Sequence, residues 1–475
     1  MWEDEEEEED IIIPGTTKAD ELINSFIAWE SGATKYFSEN ELEFLFNYYQ
    51  YYNPGSDARV WNILQFGLDT FPNSGIFHIC FAHYYLEKDM YDEALEKLQL
   101  AKLLDPMNPE VFILMAECLE EMEEYQQAFD ILIEAEQTLL DFNQEIQIRL
   151  ASLLLHFERQ PEAVRKIARI IKHECGDDGL GLVSPMHFNS ELLIEAVNLL
   201  INNHPFNERY WIFKGNTALL YMDDHDTAIE AFEYAHYINE KLNIPLFYLG
   251  ICYKSKKQFN TAIKYFGEAS EAGYATEECV IESAICMNRL GDHTQARFLL
   301  QNLLSDNITN MSEVNYEIAY SYLKQGAASK AIPYIEKSLS EDPNIQAYIL
   351  YGEIACMLDD EDKLIECFTE AKEFRMLDYE LFICCFFGMF YRMDNLTNMY
   401  EMLVLIKIDE NKAKSSILSS LLNALIAKAE HNNIQYIQEM LNSFSIDAEA
   451  ASEYIELIDE DLSKDPEITS LKEMF

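Results

Sequence analysis

The 475-residue sequence is long enough for about three domains of average size. It contains 34 lysine and arginine residues against 85 aspartate and glutamate residues, a net charge of −51, so its surface should repel nucleic-acid phosphates and anionic lipids. Apolar residues make up 49% of the chain and aromatic residues 13%, which excludes an acidic disordered protein. We therefore expect a folded protein with no nucleic-acid or membrane partner.

The N-terminal segment, MWEDEEEEED, has eight carboxylates in ten residues and lacks the basic start and apolar stretch of an export signal. We expect an acidic disordered tail over 1–15 and a capping helix over 16–40. Ser38 followed by Glu41 fits a capping box that begins the first helix hairpin.

The most apolar run, Leu381 to Tyr391, has eleven residues and is shorter than the roughly 18 to 20 residues that span a bilayer. The ten cysteines have no regular spacing, and most lie in apolar helical runs, which is typical of reduced core residues. Together these features predict a cytoplasmic protein without a membrane span.

An internal pattern with a period of about 34 residues runs through most of the chain. In each copy a small residue is followed twelve positions later by an alanine-like residue, and then by apolar and small residues four and seven positions further on. The alanine-like position is occupied by Val60, Ala94, Ala128, Ala163, Ala228, Ala262, Ala296, Ala331 and Leu364. The residue four positions later is large and apolar in every copy, from Leu64 to Phe368.

Offsets of four and seven residues lie on one face of a helix, so each copy contains a second helix with a stripe of small and large residues. The first helix supplies the earlier small residue, and turn residues such as Gly291 and Asp292 separate the two helices. A single hairpin cannot bury both of its faces, so the hairpins must stack. A constant rotation between stacked hairpins generates a superhelix with a concave groove.

This pattern closely resembles that of the tetratricopeptide repeat family. The best matches are Ser74 to Asn108, Asn243 to Thr276 and Ser312 to Ile345. The resemblance implies an all-α fold, a right-handed superhelical solenoid of stacked antiparallel helix hairpins with divergent terminal caps. We place an N-terminal stack of repeats at 41–177 and a central stack at 208–378.

Two regions depart from the pattern. The segment CGDDGLGLVSP, from Cys175 to Pro185, has glycines and a proline where a first helix would fall, so we expect an irregular, degenerate repeat over 178–207. After Leu377 the phase is lost although the composition stays helical. We interpret 379–475 as a divergent helical C-terminal cap, which a solenoid needs to cover its last apolar face.

Motifs for chemistry are missing from the sequence. No phosphate-binding loop, dinucleotide-binding glycine pattern, nucleophile elbow or zinc-protease helix occurs, and we predict no enzyme activity, no cofactor and no metal site. The best metal candidates match no zinc signature in their spacing; they are His173, Glu174, Cys175, Asp177, Asp178 and His187. Asp223 to Asp226 lacks the glycine and distal glutamate of an EF-hand, which favours a turn within a hairpin.

The resemblance also implies which residues line the groove, because in the family these are first-helix residues at fixed offsets from the small position. In the second clear repeat they form an acidic wall with an apolar floor: Glu110, Ile113, Glu117, Glu120 and Glu121. In the central stack they are Phe247, Ile251, Lys254, Glu278, Ile281, Ile285, Arg289, Glu313, Tyr316, Tyr320, Lys324, Ile349 and Glu353. Some family members hold the C-terminal carboxylate of chaperones with a basic set of groove residues. This sequence does not reproduce that set, so we do not expect such ligands.

From this groove we expect a non-enzymatic scaffold that binds a protein or peptide, with a preference for basic, partly apolar segments. Two alternatives remain open, a cargo chaperone or assembly factor for basic or aggregation-prone proteins, and an enzyme with an unrecognised site. The carboxylates could equally serve solubility alone, since a net charge of −51 places them in any concavity. Charge repulsion opposes self-association but does not forbid it.

Overall fold

The computed structural model describes residues 14–52, 57–175, 188–304, 309–374, 379–406 and 412–472. These residues form an all-α fold of successive helix hairpins, which confirms the predicted fold class. The chain divides into two compact units, residues 1–231 (unit 1) and 232–475 (unit 2). Within each unit, hairpins pack against the next hairpin along the chain, as in a solenoid. The predicted tail over 1–15 lies almost entirely outside the described residues.

Unit 1 begins with one helix and continues as hairpins of a first and a second helix. Its helices are α1 (Thr17–Glu30), α2 (Glu39–Asn47), α3 (Asp57–Thr70), α4 (Gly75–Leu86), α5 (Tyr91–Leu104), α6 (Pro109–Glu121), α7 (Tyr125–Thr138), α8 (Gln144–His156), α9 (Gln160–Glu174), α10 (Ser190–Asn203), α11 (Glu208–Tyr221) and the first half of α12 (His225–Ile238). A short π-helix, Tyr48–Tyr52, extends α2. The first helices are α2, α4, α6, α8 and α11, and the others after α1 are second helices.

The helix α1 covers the N-terminal end of the stack with aromatic side chains. Phe26 is fully buried, and its ring centroid lies 5.5 Å from that of Trp29 and 5.9 Å from that of Phe37. The next helix begins with the predicted capping box. Ser38 Oγ accepts a hydrogen bond from the Glu41 amide (3.3 Å), and Glu41 Oε2 accepts one from the Ser38 amide (2.9 Å).

Unit 2 begins in the second half of α12 and extends the same architecture. Its further helices are α13 (Ile244–Ser255), α14 (Phe259–Glu271), α15 (Thr276–Leu290), α16 (His293–Leu303), α17 (Met311–Lys324), α18 (Ala328–Glu341), α19 (Ile345–Met357), α20 (Glu361–Ala371), α21 (Tyr379–Arg392), α22 (Leu396–Ile406), α23 (Lys412–Ala429), α24 (Asn433–Ile446), α25 (Ala448–Ile458) and α26 (Pro466–Lys472). The odd-numbered helices from α13 to α23 are first helices, and the even-numbered helices from α14 to α24 are second helices.

The alanine-like position is buried in every copy of the repeat. All nine side chains, from Val60 to Leu364, are at most 2% exposed, and the large residues four positions later are at most 1% exposed. Small residues make room for large ones: an added Cβ on Gly250 in α13 would lie 2.5 Å from the ring of Phe266 in α14. This interlock of small and large residues is the close packing that the repeat pattern predicts.

Ten hairpin turns of the described residues, from the α4/α5 turn onward, contain one residue with a left-handed backbone, five positions before the alanine-like position. These residues have φ between 52° and 85° and are Asp89, Glu123, Glu158, Asp223, Lys257, Gly291, Gly326, Asp359, Asp394 and His431. Only two of them are glycine, although this conformation costs roughly 1 to 2 kcal/mol for a residue that carries a Cβ. The turn is therefore dictated by the geometry of the hairpin rather than by local residue preference.

The same spacing continues beyond Leu377, where the sequence pattern is lost. In the α21/α22 hairpin, Phe387 stands at the small position and Met399 at the alanine-like position, and both are at most 1% exposed. In the α23/α24 hairpin the equivalent residues are Ala424 (0% exposed) and Tyr436 (4% exposed). The hairpins thus continue to α24, with large residues at positions that are small in the other copies.

The helix α25 follows the last hairpin and packs against α21 and α23, which are both first helices. Gly388 of α21 permits this approach, because an added Cβ would lie 1.9 Å from the backbone oxygen of Ile458. Arg392 Nη1 lies 3.9 Å from Asp459 Oδ2 at the end of α25. Gly388 and Arg392 come one and five positions after Phe387. In the other first helices, residues at these offsets from the small position line the predicted groove. The face of α21 is therefore covered by a helix of the same chain.

Eight of the ten cysteine side chains are buried, as expected for core residues. Burial raises the pKa of the Cys118 and Cys252 thiols to about 12, so they are protonated at neutral pH. Among the helices of the described residues, none combines the length and apolar character needed to cross a membrane.

Candidate functional site

First helices of neighbouring hairpins lie side by side and form a surface in each unit, which we call the first-helix face. In unit 1, α2 contacts α4 and α4 contacts α6. In unit 2, α15, α17, α19 and α21 contact one another in the same order. All the predicted groove residues lie on first helices, one set on α6 in unit 1 and the others on α13, α15, α17 and α19 in unit 2.

The predicted groove residues differ in how much surface they offer. On α6, Glu110 and Glu121 are exposed, while Ile113, Glu117 and Glu120 are partly buried. In unit 2 the exposed residues are Glu278, Arg289, Glu313 and Lys324, and the partly buried residues are Phe247, Ile251, Lys254, Ile285, Tyr316, Tyr320 and Glu353. Ile281 (2% exposed) and Ile349 (9% exposed) pack in the core and present little surface to a partner.

Carboxylates gather around one arginine on the first-helix face of unit 1. Arg149 of α8 lies 3.2 Å from Glu117, 3.4 Å from Glu120 and 3.0 Å from Glu145. His83 Nε2 of α4 lies 3.1 Å from Glu110 Oε1. In these contacts Arg149 is the one permanent cation beside three carboxylates, and the partner of Glu110 is a histidine. The surface therefore keeps an excess of negative charge.

Glu43 of α2 and Tyr51 of the π-helix extend this surface. Burial raises the pKa of the Glu43 carboxyl, and the neighbouring charge of Glu110 raises it further. Burial also raises the pKa of Tyr51 to about 12, with contributions from Glu110 and Glu117. These interactions place both residues beside the carboxylates of α6. We call the surface formed by Glu43, Tyr51, Glu110, Glu117 and Glu120 the acidic face.

Glu120 is the least satisfied member of the acidic face. Its Oε1 atom is buried without a hydrogen-bond partner among the described residues. Burial raises the pKa of this carboxyl even though Arg149 favours its charged form. A raised pKa means that the carboxylate is poorly stabilised, and an added positive charge nearby would stabilise it. The acidic face is therefore suited to a cation.

The first-helix face of unit 2 carries charges of both signs together with tyrosine rings. Lys254 Nζ lies 2.6 Å from Glu282 Oε2. Arg289 donates a hydrogen bond of 2.9 Å to Tyr320 Oη, and Lys324 Nζ lies 5.3 Å from the centroid of the same ring. The cations of this face are thus engaged by neighbouring side chains, and its charge is more balanced than that of the acidic face.

A cavity of about 570 Å³ opens between α17, α19 and α21 in unit 2. Its lining includes the predicted residues Lys324 and Glu353, and also Leu323, Gly326, Cys356, Met357, Asp359, Arg392 and Met393. The cavity combines apolar side chains with both signs of charge. Arg392 lies outside the predicted set because groove residues are counted from the small position of each repeat. In this repeat that position is occupied by Phe387, so the sequence pattern does not identify it.

Glu317 of α17 is a buried carboxylate close to this face, with 5% of its surface exposed. Asn288 donates a hydrogen bond of 2.8 Å to Glu317 Oε2, and Asn288 Oδ1 lies 3.1 Å from His293 Nδ1. Burial raises the pKa of Glu317 and lowers the pKa of His293. This network ties α15 to α17 within the core rather than exposing a reactive group.

Of the metal candidates of the sequence, His173, Glu174 and Cys175 lie within the described residues. His173 stacks on Phe142 with ring centroids 4.2 Å apart, and Cys175 is buried with its pKa raised by burial to about 11. Asp177, Asp178 and His187 lie outside the described residues, as does the glycine-rich segment that they flank. Over the ranges that the structure describes, no group of three or more potential ligand side chains could hold a metal ion.

The acidic turn from Asp223 to Asp226 serves a structural role, as the sequence favours. Asp223 has the left-handed backbone of a hairpin turn, with φ of 52°. Asp224 accepts hydrogen bonds from the amide (3.1 Å) and the hydroxyl (2.6 Å) of Thr227 in the first turn of α12. These bonds are those of a helix cap.

Comparison with known proteins gives one family match. Residues 312–345, which contain α18 and all of α17 except its first residue, match the model of the tetratricopeptide repeat. No curated protein matches the sequence.

The solved structures that match this chain are distant in sequence. The type IV pilus biogenesis factor PilW is 16% identical with a TM-score of 0.34, over 50% of this chain and 93% of PilW. The structure of the APC/C hetero-tetramer Cut9-Hcn1 gives 14% identity and a TM-score of 0.32, over 96% of this chain and 94% of the other. YrrB, a TPR protein with an unusual peptide-binding site, gives 15% identity and a TM-score of 0.23, over 44% of this chain and 91% of YrrB.

The matched repeat shares its buried positions and its left-handed turn with the hairpins before and after it. Ala331 and Ile335 in this repeat are fully buried, as are their counterparts Ala262 and Phe266 two repeats earlier. Gly326 supplies the left-handed turn, with φ of 72°. The chain therefore contains a tetratricopeptide repeat at residues 312–345, within a series of hairpins of the same kind.

Proposed function

We propose that this protein is a non-enzymatic interaction scaffold, and that the acidic face of unit 1 binds a basic, partly apolar segment of a partner protein. The observation that carries the proposal is that Arg149 alone faces Glu117, Glu120 and Glu145, while Oε1 of Glu120 is buried without a hydrogen-bond partner among the described residues. Lysine or arginine side chains of a partner would supply the charge that this surface lacks. Charge complementarity of this kind favours rapid and selective association.

Tyr51 gives the acidic face an apolar contact as well as charge. Its side chain is 50% exposed, and Tyr52 beside it is 66% exposed. A tyrosine ring provides a large and rigid contact area, and a cation can pack over its face. A segment that combines basic and apolar residues would therefore use both parts of this surface.

The hairpin stack supports such a role because it fixes the first helices before a partner arrives. The alanine-like and large residues of each second helix are fully buried, so the first helices rest on a packed layer. A rigid surface loses little conformational freedom on binding, which favours affinity.

A binding experiment with designed probes tests the proposal. Fluorescence anisotropy would compare a short lysine- and leucine-containing peptide with a glutamate- and leucine-containing peptide of equal length, at low and moderate salt. We expect the full chain to bind the basic peptide alone, and more weakly as salt rises, because screening shortens the reach of the carboxylates.

Matched variants separate the acidic face from the general negative charge. The Glu110→Gln and Glu117→Gln double variant should weaken binding by about tenfold, since two charge-assisted contacts are lost. The control is Asp92→Asn with Glu96→Gln on the exposed side of the second helix α5, which removes the same charge elsewhere. Equal affinity of the two double variants would refute the assignment and leave only unspecific attraction to the acidic chain.

A further inference from the structure

The hairpin formed by α23 and α24 has almost no net charge in a strongly acidic protein. Residues 412–446 contain three lysines (412, 414 and 428) and two glutamates (430 and 439), a net charge of +1, whereas the whole chain carries −51. This hairpin is therefore a local exception to the charge of the rest of the molecule.

The exposed side of α24 is uncharged and partly apolar. Its exposed residues are Asn433, Ile434, Gln435, Ile437, Gln438, Asn442, Ser445 and Ile446, while the one charged residue of the helix, Glu439, is half-buried. Ile434 is 80% exposed and Ile437 is 53% exposed. Because these two isoleucines are three residues apart, they lie on the same side of the helix.

The neighbouring second helix α22 extends this patch. Tyr400 is 45% exposed and Val404 is 58% exposed, and they lie one helical turn apart. Tyr400 donates a hydrogen bond of 2.7 Å to Glu430 at the turn before α24, which places the two exposed surfaces next to each other. Glu401 of α22 forms an ion pair with Lys372, so its charge is locally balanced.

We propose that this neutral patch, formed by Tyr400, Val404, Ile434 and Ile437, binds the same patch of a second copy of the chain. A basic partner would gain more from the carboxylates elsewhere on the surface. A partner as acidic as this chain would be repelled from those surfaces and can approach closely only where carboxylates are few. A second copy has the required charge, and an apolar patch paired about a two-fold axis is self-complementary.

The size of the patch indicates a weak dimer. Its four principal side chains are apolar or aromatic, but they are few beside the roughly 20 to 30 residues that each partner contributes to a standard stable interface. An ion-paired interface becomes weaker as the salt concentration rises, whereas association through this patch should become stronger. Screening reduces repulsion between two chains of −51 charge, so the dimer becomes stronger as salt rises.

Sedimentation equilibrium of the full chain over a range of concentrations and salt tests this proposal. We expect reversible dimerisation that strengthens between about 0.05 and 0.5 M salt, and at least tenfold weaker association for the Ile434→Glu and Ile437→Glu double variant. The control is Leu103→Glu with Leu140→Glu, which adds the same charge at side chains that are 80% and 90% exposed in unit 1. Circular dichroism would verify that both variants keep the helical content of the wild type.

A chain that stays monomeric at every salt concentration would overturn the proposal, and so would a dimer that the α24 variant leaves intact. Equal weakening by both variants would also overturn it, because added charge alone would then explain the effect. The result is independent of peptide binding at the acidic face, since the patch shares no residue with that surface.

Discussion

The contact between α21 and α25 makes a sharp prediction about Gly388. An alanine Cβ at this position would lie 1.9 Å from the backbone oxygen of Ile458 and 2.8 Å from its carbonyl carbon. Carbon and oxygen atoms in the closest weak contacts between helices are about 3.3 Å apart or more. Both atoms of Ile458 belong to the backbone, so a change of rotamer cannot relieve the clash. The Gly388→Ala substitution must push α25 away by more than about 1 Å.

Two opposing effects set the magnitude. Alanine in the interior of a helix is more favourable than glycine by about 0.5 to 1 kcal/mol. Overpacking a filled interior typically costs about 1 to 3 kcal/mol, and a clash with backbone belongs at the upper end of this range. We therefore expect a net loss of about 2 kcal/mol. Displacement of α25 would add to the loss by loosening the buried side chains of Tyr454, Ile455 and Ile458.

Urea unfolding followed by circular dichroism measures the change in the free energy of unfolding, and limited proteolysis reports the release of α25. The matched control is Gly267→Ala in the interior of α14, where an added Cβ meets no atom within 4 Å. This control should be more stable than the wild type by about 0.5 to 1 kcal/mol. The reasoning is refuted if both substitutions stabilise the protein, or if α25 is as resistant to proteolysis in Gly388→Ala as in the wild type.

Further substitutions test the hairpin turns, the core and the buried carboxylate. In thermal unfolding, Gly326→Ala should lower stability by about 1 kcal/mol and Asp359→Gly should raise it, because both residues have the left-handed backbone that disfavours a Cβ. Phe266→Ala should cost about 3 to 5 kcal/mol, since the fully buried ring fills the space beside Gly250, and a smaller loss would contradict the interlock. Burial raises the pKa of Glu317 in the folded state. The contribution of Glu317 to stability is therefore most favourable at pH values below its pKa in the unfolded chain, and it is lost as pH rises through its pKa in the folded state. Glu317→Gln should therefore stabilise the protein at pH 7 and lose this advantage toward pH 4, and an advantage that does not shrink with falling pH would argue against a poorly stabilised charge.

The core of the fold could be predicted because its pattern is local and repeated. A hairpin places the residues at offsets of four and seven on one helical face, so a run of nine copies fixes which side chains are buried. The structure buries the small, alanine-like and large positions of Ala82, Ala94 and Leu98 and of their counterparts in later repeats. The size of the side chains at these positions is what identifies the repeat in the sequence.

The same dependence on size explains what the sequence pattern missed. Phe387, Met399 and Tyr436 occupy small or alanine-like positions and are buried there, but their size removes the signal that marks a repeat. The left-handed turn five positions before the alanine-like position persists at Asp394 and His431. Because these are not glycines, a search for glycine at the turns does not reveal them either.

The candidate binding surface was predictable in register but not in electrostatics. Counting from the small position places Glu110 and Glu117 on the first-helix face, where the structure has them. The pairing of Glu117 with Arg149 joins residues 32 positions apart on different helices, and no local pattern specifies it. Tyr51 belongs to a π-helix in a weak repeat, and its proximity to Glu110 follows only from the packing of α2 against α4.

Stability and recognition are separated in this architecture. The residues that stack the hairpins are similar in most copies, and they are buried whether the neighbouring surface is acidic, as at Glu110 and Glu117, or mixed, as at Arg289 and Tyr320. A substitution on a first-helix face therefore leaves the repeated packing intact, because exposed positions contribute little to the core. The net charge of −51 can be distributed over such surfaces without weakening the interlock of each hairpin, and the distribution then decides which partners approach. On this argument the recognition roles that we propose for the acidic face and for the neutral side of α24 can be tested apart from stability, since neither surface is required by the stacking of helices beneath it.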